Sequence, residues 1–291
     1  MAAGLTNCTI FITINFITQF LFYFFMKVYS HSKLSSFEQC PQKYKFHYID
    51  KIIIIEKNIE AFLGNTIHAT LEWLYLEVKQ GRLPPLDDVI LYYTYTWKQA
   101  YNEKEIILRK LTELDYHDKG IRFLIDYYMK HKPFDDNTLE VEKEISLIVD
   151  ENKEYQIRGF IDRLVYNLKT CEYEIHDYKT SESAPSQEKI DNDRQLALYS
   201  IAIKQMFGKD KEVLLVWHYL AFNKRVHSKR TNEELEELKK QVFDLIKTIE
   251  STKNFHPYIS KLCDWCEYQN ICPAWDNSPD FKEMQKKIEE F

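Results

Sequence analysis

Two carboxylates and an amine stand in the middle of segments that otherwise read as apolar strands. Asp162 lies in IRGFIDRLV, and Asp177 and Lys179 lie in EIHDYKTS. Side chains alternate along a strand, so Asp177 and Lys179 point to one face. If a neighbouring strand brings Asp162 to that face, two carboxylates and an ammonium converge. Hard cations such as Mg²⁺ and Mn²⁺ take oxygen ligands and keep several waters, and two carboxylates are what such a site requires. A lysine beside them can orient the attacking water and stabilise charge developing on a phosphate. Charges inside apolar strands are costly unless they pair or hold a metal. Any single pair, Asp177 with Lys179 or Asp162 with Arg163, reads more simply as a structural salt bridge. The whole set is what points to chemistry.

Two helical pairs extend the set. His68 follows Gly64 by four residues, so both lie on one helical face, where the glycine lets a neighbour approach closely. Gln195 and Tyr199 share a face in the same way on the helix after the Asp-x-Lys strand. The six cysteines are Cys8, Cys40, Cys171, Cys263, Cys266 and Cys272; three of them form Cys-x2-Cys-x5-Cys, and Cys40 stands far upstream, before Pro41. A chain this large and rich in core residues does not need disulfides, so a reduced, intracellular metal site is the better reading. Cys40 would return from the N-terminal side and clasp the two ends of the domain. Four thiolates suit either Zn²⁺ or an iron–sulfur cluster. Structural zinc more often shows two Cys-x2-Cys knuckles, and here there is one, yet spacing alone leaves both metals open. Cys8 and Cys171 read as non-ligands.

The elements that must hold these residues follow from hydrophobic period. Ser35 or Ser36 reads as a cap ahead of a short amphipathic helix. Residues 60–79 repeat apolar positions at three and four, as do 86–131 between Pro84-Pro85 and Pro133. The period then changes to two, giving strands at 138–149, 154–167 and 172–179. A helix at about 187–206, a strand at 212–222 and a charged helix at 232–251 complete the order. Helix, three strands, helix, strand, helix predicts an α/β sheet flanked by helices.

Composition bounds the rest. The 291 residues carry 39 Lys+Arg against 45 Asp+Glu, a net charge of −6, which excludes a globally basic nucleic-acid coat but not a local basic groove. Only 6 Gly and 8 Pro, with 15% aromatics, exclude disordered and collagen-like chains. Lys43, Lys45, Arg158, Arg163 and Arg194 are candidates for local positive charge, with a solvated or salt-bridged side chain as the plain alternative for each. Tyr44, Phe46 and Tyr48 interleave with the lysines and could stack single-stranded bases, although core packing is the plainer fate for at least one. The uncharged apolar run at 9–25 is short and interrupted for a membrane span, and poor as a signal peptide. A start at Met26 is the favoured reading, a membrane anchor its main rival and an N-terminal element of the domain the third.

The strings SHSKLSSFEQCPQKYKF, GNTIH, GFIDR, HDYKTS and QLALY, followed by the cysteine tail, run in this order from about Tyr29 to Trp275. Together they resemble the RecB-type branch of the PD-(D/E)XK nuclease superfamily. The nearest pattern is that of its iron–sulfur group, with AddB-type nuclease domains, exonuclease V and the CRISPR-associated adaptation nucleases. The resemblance implies a restriction-endonuclease-like α/β core over 26–291, with a mixed central sheet flanked by helices, a helical insertion at about 80–135 and a C-terminal iron–sulfur staple. It implies His68, Asp162 and Asp177 as metal ligands, the Tyr178 carbonyl as a further one and Lys179 as the catalytic lysine. Gln195 and Tyr199 would position DNA and the active site. Cys40, Cys263, Cys266 and Cys272 would hold a [4Fe–4S] cluster, with zinc the lesser alternative. The implied function is Mg²⁺- or Mn²⁺-dependent hydrolysis of DNA, exonucleolytic on single strands or free ends, in repair or recombination. A helicase or recombination partner and a cytoplasmic location go with it. The alternative is a catalytically silent nuclease-fold module that docks DNA or a partner in a helicase–nuclease complex, and the intact acidic set argues against it.

Overall fold

The computed structural model describes residues 26–55, 57–108 and 111–275. The apolar run at 9–25 lies outside the described residues. No helix among the described residues is long and apolar enough to cross a membrane.

The chain opens with a short strand β1 (Lys27–Tyr29), then α1 (His31–Gln39) and α2 (Pro41–Tyr44). Three long helices follow: α3 (Ile59–Lys79), α4 (Leu86–Ala100) and α5 (Glu113–His131). Next come strands β2 (Thr138–Ile148), β3 (Tyr155–Asn167) and β4 (Glu172–Lys179). The remainder is α6 (Gln187–Asp191), α7 (Arg194–Phe207), β5 (Val213–Tyr219), β6 (Lys224–Lys229) and α8 (Asn232–Ser251). Side-chain caps set the helix starts. Ser30 caps α1 and Asn58 caps α3, while Thr112 with Asp115 and Thr231 with Glu234 form capping boxes on α5 and α8. The cap of α1 is therefore Ser30 and not Ser35 or Ser36, which lie inside the helix. The single helix expected at 187–206 is two, because the Asp193 carboxylate accepts the Leu196 N–H and starts α7 afresh.

The sheet is mixed and six-stranded. Its central member is the long β3. Antiparallel β2 runs along one side of β3 from Gln156 to Val165. The other side is shared: β1 pairs in parallel at Tyr155–Ile157, and β4 pairs antiparallel at Arg163–Asn167. Beyond β4 lie parallel β5 and then antiparallel β6 at the edge. One face of the sheet packs Ile157, Ile161, Ile175 and Leu215 against α1, α7 and α8. The other packs Tyr178 against Leu63, Ile67, Tyr93, Trp97 and Tyr127 of α3, α4 and α5. Rings supply much of this second core, as 20 Tyr and 18 Phe lead one to expect.

Candidate active site

The site lies where two strands separate. Between its pairing with β1 and its pairing with β4, β3 has no partner at 158–162 on that edge. Asp162 closes the opening, its Oδ2 accepting the Tyr178 N–H at 2.9 Å. On the neighbouring helix α3, His68 reaches the same point. Its Nδ1 lies 3.4 Å from Asp162 Oδ2, and its Nε2 is 2.8 Å from the Tyr178 carbonyl oxygen. What Gly64 admits is Thr180, whose Oγ1 lies 3.3 Å from where a Cβ would stand.

Asp177 and Lys179 share a face, as alternation predicts. Lys179 Nζ sits 3.0 Å from Asp177 Oδ1 and 2.8 Å from Oδ2. The same Nζ is 3.4 Å from Gln195 Oε1 on α7. Tyr199, one turn on, is buried with its ring over Gly159 of the GFIDR string. A Cβ at that glycine would lie 2.5 Å from the ring. Gly159→Ala is therefore expected to cost roughly 1–3 kcal/mol by overpacking. Thermal melts should show a fall of about 2–12 °C at the usual conversion for a domain this size; an unchanged melting temperature would sink that packing argument.

Glu142 is a member that sequence reasoning did not single out. It sits on β2 between the paired positions Val141–Arg163 and Lys143–Ile161, opposite Asp162, with φ +47. A glutamate in the left-handed region is strained by roughly 1–2 kcal/mol, and such strain clusters where geometry is imposed by function. At this rung the odd-numbered side chains of both strands change face: Ile145 and Ile161 point to one core, Val141 and Arg163 to the other. His68, Glu142 and Asp162 offer ligand atoms that all lie within 4.8 Å of one another. Asp177 stands outside that group.

The charges show what the group lacks. Burial works to lower the His68 pKa, but the hydrogen bond and charge of Asp162, the charge of Asp177 and the Tyr178 carbonyl overcome it and push it up to about 9. Burial raises Asp177 to about 6, with Lys179 opposing and Asp162 adding to the rise. Glu142 is raised by burial and by the negative charges of Asp162 and Glu72. Lys179 is also raised, because Asp177, Asp162 and Asp193 outweigh its burial, so it remains an ammonium. Three carboxylates held at one opening, Asp162, Asp177 and Glu142, with the last two pushed toward protonation, form with His68 a donor set that a divalent cation fits.

Behind the opening, on the α3–α5 side, lies a buried polar network. Arg163 is 1% exposed, and its Nε donates to the Tyr178 hydroxyl at 3.0 Å. One terminal nitrogen binds Asp136 and also Thr138 Oγ1 at 3.2 Å, while the other donates to His176 Nδ1 at 2.9 Å. Since arginine only donates, His176 Nδ1 must accept, which leaves its Nε2–H for Glu174 at 3.0 Å.

The remaining sequence candidates separate. Lys43 pairs with Glu267 at 3.0 Å, Lys45 with Asp50 at 2.6 Å, Arg158 with Glu144 at 3.1 Å and Arg194 with Glu38 at 3.0 Å. Tyr44 is buried and stacks on Phe255, Tyr48 packs on Tyr44, and Phe46 lies against Tyr268. These rings serve packing, the plainer of the two readings. Cys40, Cys263, Cys266 and Cys272 all line one cavity, together with Phe46, Tyr258, Tyr268 and Trp275. The Tyr258 N–H points at Cys40 Sγ (3.3 Å) and the Ser260 N–H at Cys263 Sγ (3.4 Å). Cys171 is exposed and stands apart.

A helix-flanked mixed sheet carries a histidine–carboxylate group at diverging strands, a donor set of the kind that can hold a divalent cation. The family profile of the PD-(D/E)XK nuclease superfamily matches residues 28–273, and the chain belongs to that superfamily. It is a nuclease by family, and so a phosphodiester hydrolase of a class that uses divalent metals. No match to a curated protein was found. Two solved structures are similar in outline. The crystal structure of SSO0001 is 16% identical, covering 90% of this chain and 98% of its own, with a TM-score of 0.37. A protein from Eubacterium rectale, provisionally named an exonuclease, is 12% identical over 82% of this chain and 86% of its own, with a TM-score of 0.46.

Proposed function

We propose that this chain is a RecB-like nuclease that degrades DNA from the free ends of single strands, in repair or recombination. The observation that supports this most is the grouping of His68, Glu142 and Asp162 within 4.8 Å beside an ammonium. In this reading His68, Asp162, Asp177 and the Tyr178 carbonyl hold Mg²⁺ or Mn²⁺, and Glu142 joins them from β2. When bound, the cation polarises the scissile phosphate and makes its water a better nucleophile. Lys179 keeps its proton, so it orients the water and donates to the phosphate oxygens. Gln195 limits where that ammonium points, and Tyr199 packs the strand beneath it. Attack in line breaks the bond to the 3′ oxygen and leaves a 5′ phosphate.

Polarity toward ends is tested with labelled linear and circular single strands of one sequence. The proposal predicts a product ladder from the linear strand and an intact circle; a nicked circle would make the enzyme an endonuclease. A second test uses protons. A histidine must be neutral to bind metal, and His68 holds its proton up to about 9. Binding of Mn²⁺ should therefore release close to one proton at pH 7.5. Affinity should rise through pH 6 to 9, on the order of tenfold per unit for each proton displaced. Calorimetry in buffers of different ionisation enthalpy reads this directly, and binding without proton release would remove His68 from the site.

The four cysteines are proposed to hold a [4Fe–4S] cluster that pins residues 257–275 to α1 and α2. The Tyr258 and Ser260 N–H groups aimed at the Cys40 and Cys263 sulfurs suit thiolates. Protein purified without oxygen should be brown, carry about four irons, and lose both properties in Cys266→Ala. Colourless protein with one zinc per chain would overturn this assignment.

A further inference from the structure

On the face of β3 opposite Ile157 and Ile161, the helical layer ends at the site itself. The α3–α5 side covers Arg163, His176 and Tyr178, and its last contacts with the sheet here are those of His68. Beyond that rung several side chains of this face are exposed, up to Gln156, which is buried again. Val28 is 40% exposed and Phe160 is 51% exposed, and Glu144, Ser146 and Arg158 are exposed with them. Register places all five on one face, with Phe160 directly opposite Glu144, Arg158 opposite Ser146, and Val28 opposite Gln156. An exposed phenylalanine on the central strand of a six-stranded sheet is unusual, since both faces of such a strand are normally covered. Among the described residues Phe160 makes no ring contact, in a protein whose other core rings are densely paired.

We propose that Phe160 and Arg158 form the seat for the two nucleotides next to the scissile phosphate, and that this seat takes only unpaired bases. The inference rests on the nuclease reading and adds the residues that would select its single-stranded substrate. Asp162, Phe160 and Arg158 are successive same-face residues of one strand, so they stand roughly 6.6 Å apart step by step. That is about twice the ~3.4 Å rise per nucleotide of a duplex strand, the spacing of a stretched single strand. With the scissile phosphate at Asp162 and one nucleotide to each step, the first adjoining base falls on the Phe160 ring and the phosphate two nucleotides along on the Arg158 guanidinium. A ring stacks on any base with little regard to sequence, and arginine donates two parallel hydrogen bonds to phosphate. The partner that Arg158 has now, Glu144, is an exposed ion pair that is readily exchanged. A paired base presents no free ring face, so a duplex cannot occupy the seat without melting its end.

The test is equilibrium binding of fluorescein-labelled oligothymidylate, with Ca²⁺ in place of Mg²⁺ to hold back cleavage. Phe160→Ala should weaken single-strand binding roughly 5- to 150-fold, the effect of one lost stack. It should leave duplex binding and the melting temperature unchanged, since the side chain is exposed. Phe160→Trp should keep the affinity, and its added indole fluorescence should be quenched by the oligonucleotide beyond the wild-type change. Arg158→Gln should reduce the salt slope of binding by about one. Phe160→Ala binding within twofold of wild type, with no extra quenching in Phe160→Trp, would overturn the seat while leaving the nuclease reading intact. Wild type that neither binds nor cleaves single strands would overturn the nuclease reading itself.

Discussion

Asp162→Asn is expected to abolish Mn²⁺ binding and to lower DNA cleavage on the order of 10³-fold, because a bound cation supplies several kcal/mol of transition-state stabilisation. The substitution is chosen because it separates charge from structure. Asp162 does two things: its Oδ2 accepts the Tyr178 N–H at 2.9 Å, and its charge faces His68 Nδ1 at 3.4 Å. Asparagine still offers an oxygen to the N–H, so the opening between β3 and β4 keeps its shape. What disappears is the negative charge. His68 then loses the partner that holds its pKa up to about 9, and burial pulls it down. The variant should therefore fold normally, titrate His68 at lower pH by NMR, and show no Mn²⁺ signal quenching by electron paramagnetic resonance. Cleavage within tenfold of wild type would mean that the cation sits elsewhere.

Arg163→Met is expected to be the most damaging substitution for the fold. The side chain is 1% exposed and binds Tyr178, His176, Thr138 and Asp136 at once, with the Tyr75 ring 4.1 Å from its guanidinium carbon. Removing one partner of such a buried set strands the others, at about 3–5 kcal/mol. At about 2–4 °C per kcal/mol for a domain of this length, the melting temperature should fall roughly 6–20 °C. Arg163→Lys should recover only part of this, since an ammonium cannot span four acceptors in one plane. Tyr178→Phe, which removes one hydroxyl, should cost far less. The three variants measured together by denaturant unfolding decide it. A loss below about 1 kcal/mol in Arg163→Met would place it in the range of an exposed ion pair.

Much of this architecture was legible in the sequence because long, strongly periodic segments carry their own signal. The helix ending at Lys79, the strands from 138 to 179 and the helix Asn232–Ser251 stand where period and caps place them. Two strands were not legible. β1 is only three residues long, and β6, KRVHSK, is a polar edge strand whose alternation rests on Val226 and Ser228. Within the site, Asp177 beside Lys179 follows from strand alternation alone. Glu142 does not, since it lies among Glu140 and Glu144 in a charged strand, and only the change of face at its rung sets it apart. Phe160 was hidden for the opposite reason: an apolar residue in an apolar strand reads as core. For Tyr44 and Tyr48 the sequence leaves stacking open beside the plainer packing, because interleaving with lysine looks alike in a stacking surface and in an amphipathic helix that buries its rings.

The histidine–carboxylate group at the β3–β4 opening is proposed to drive divalent-metal hydrolysis of DNA. The most direct measurement is cleavage of end-labelled single-stranded DNA by the full chain, purified without oxygen, against Mg²⁺ and Mn²⁺ concentration, with Lys179→Ala in parallel. Hydrolysis should require the cation, stop with chelator and be lost in the variant. Wild type that binds the same DNA and leaves it whole at every concentration of either metal would contradict it, and would make the chain a docking module on a nuclease fold.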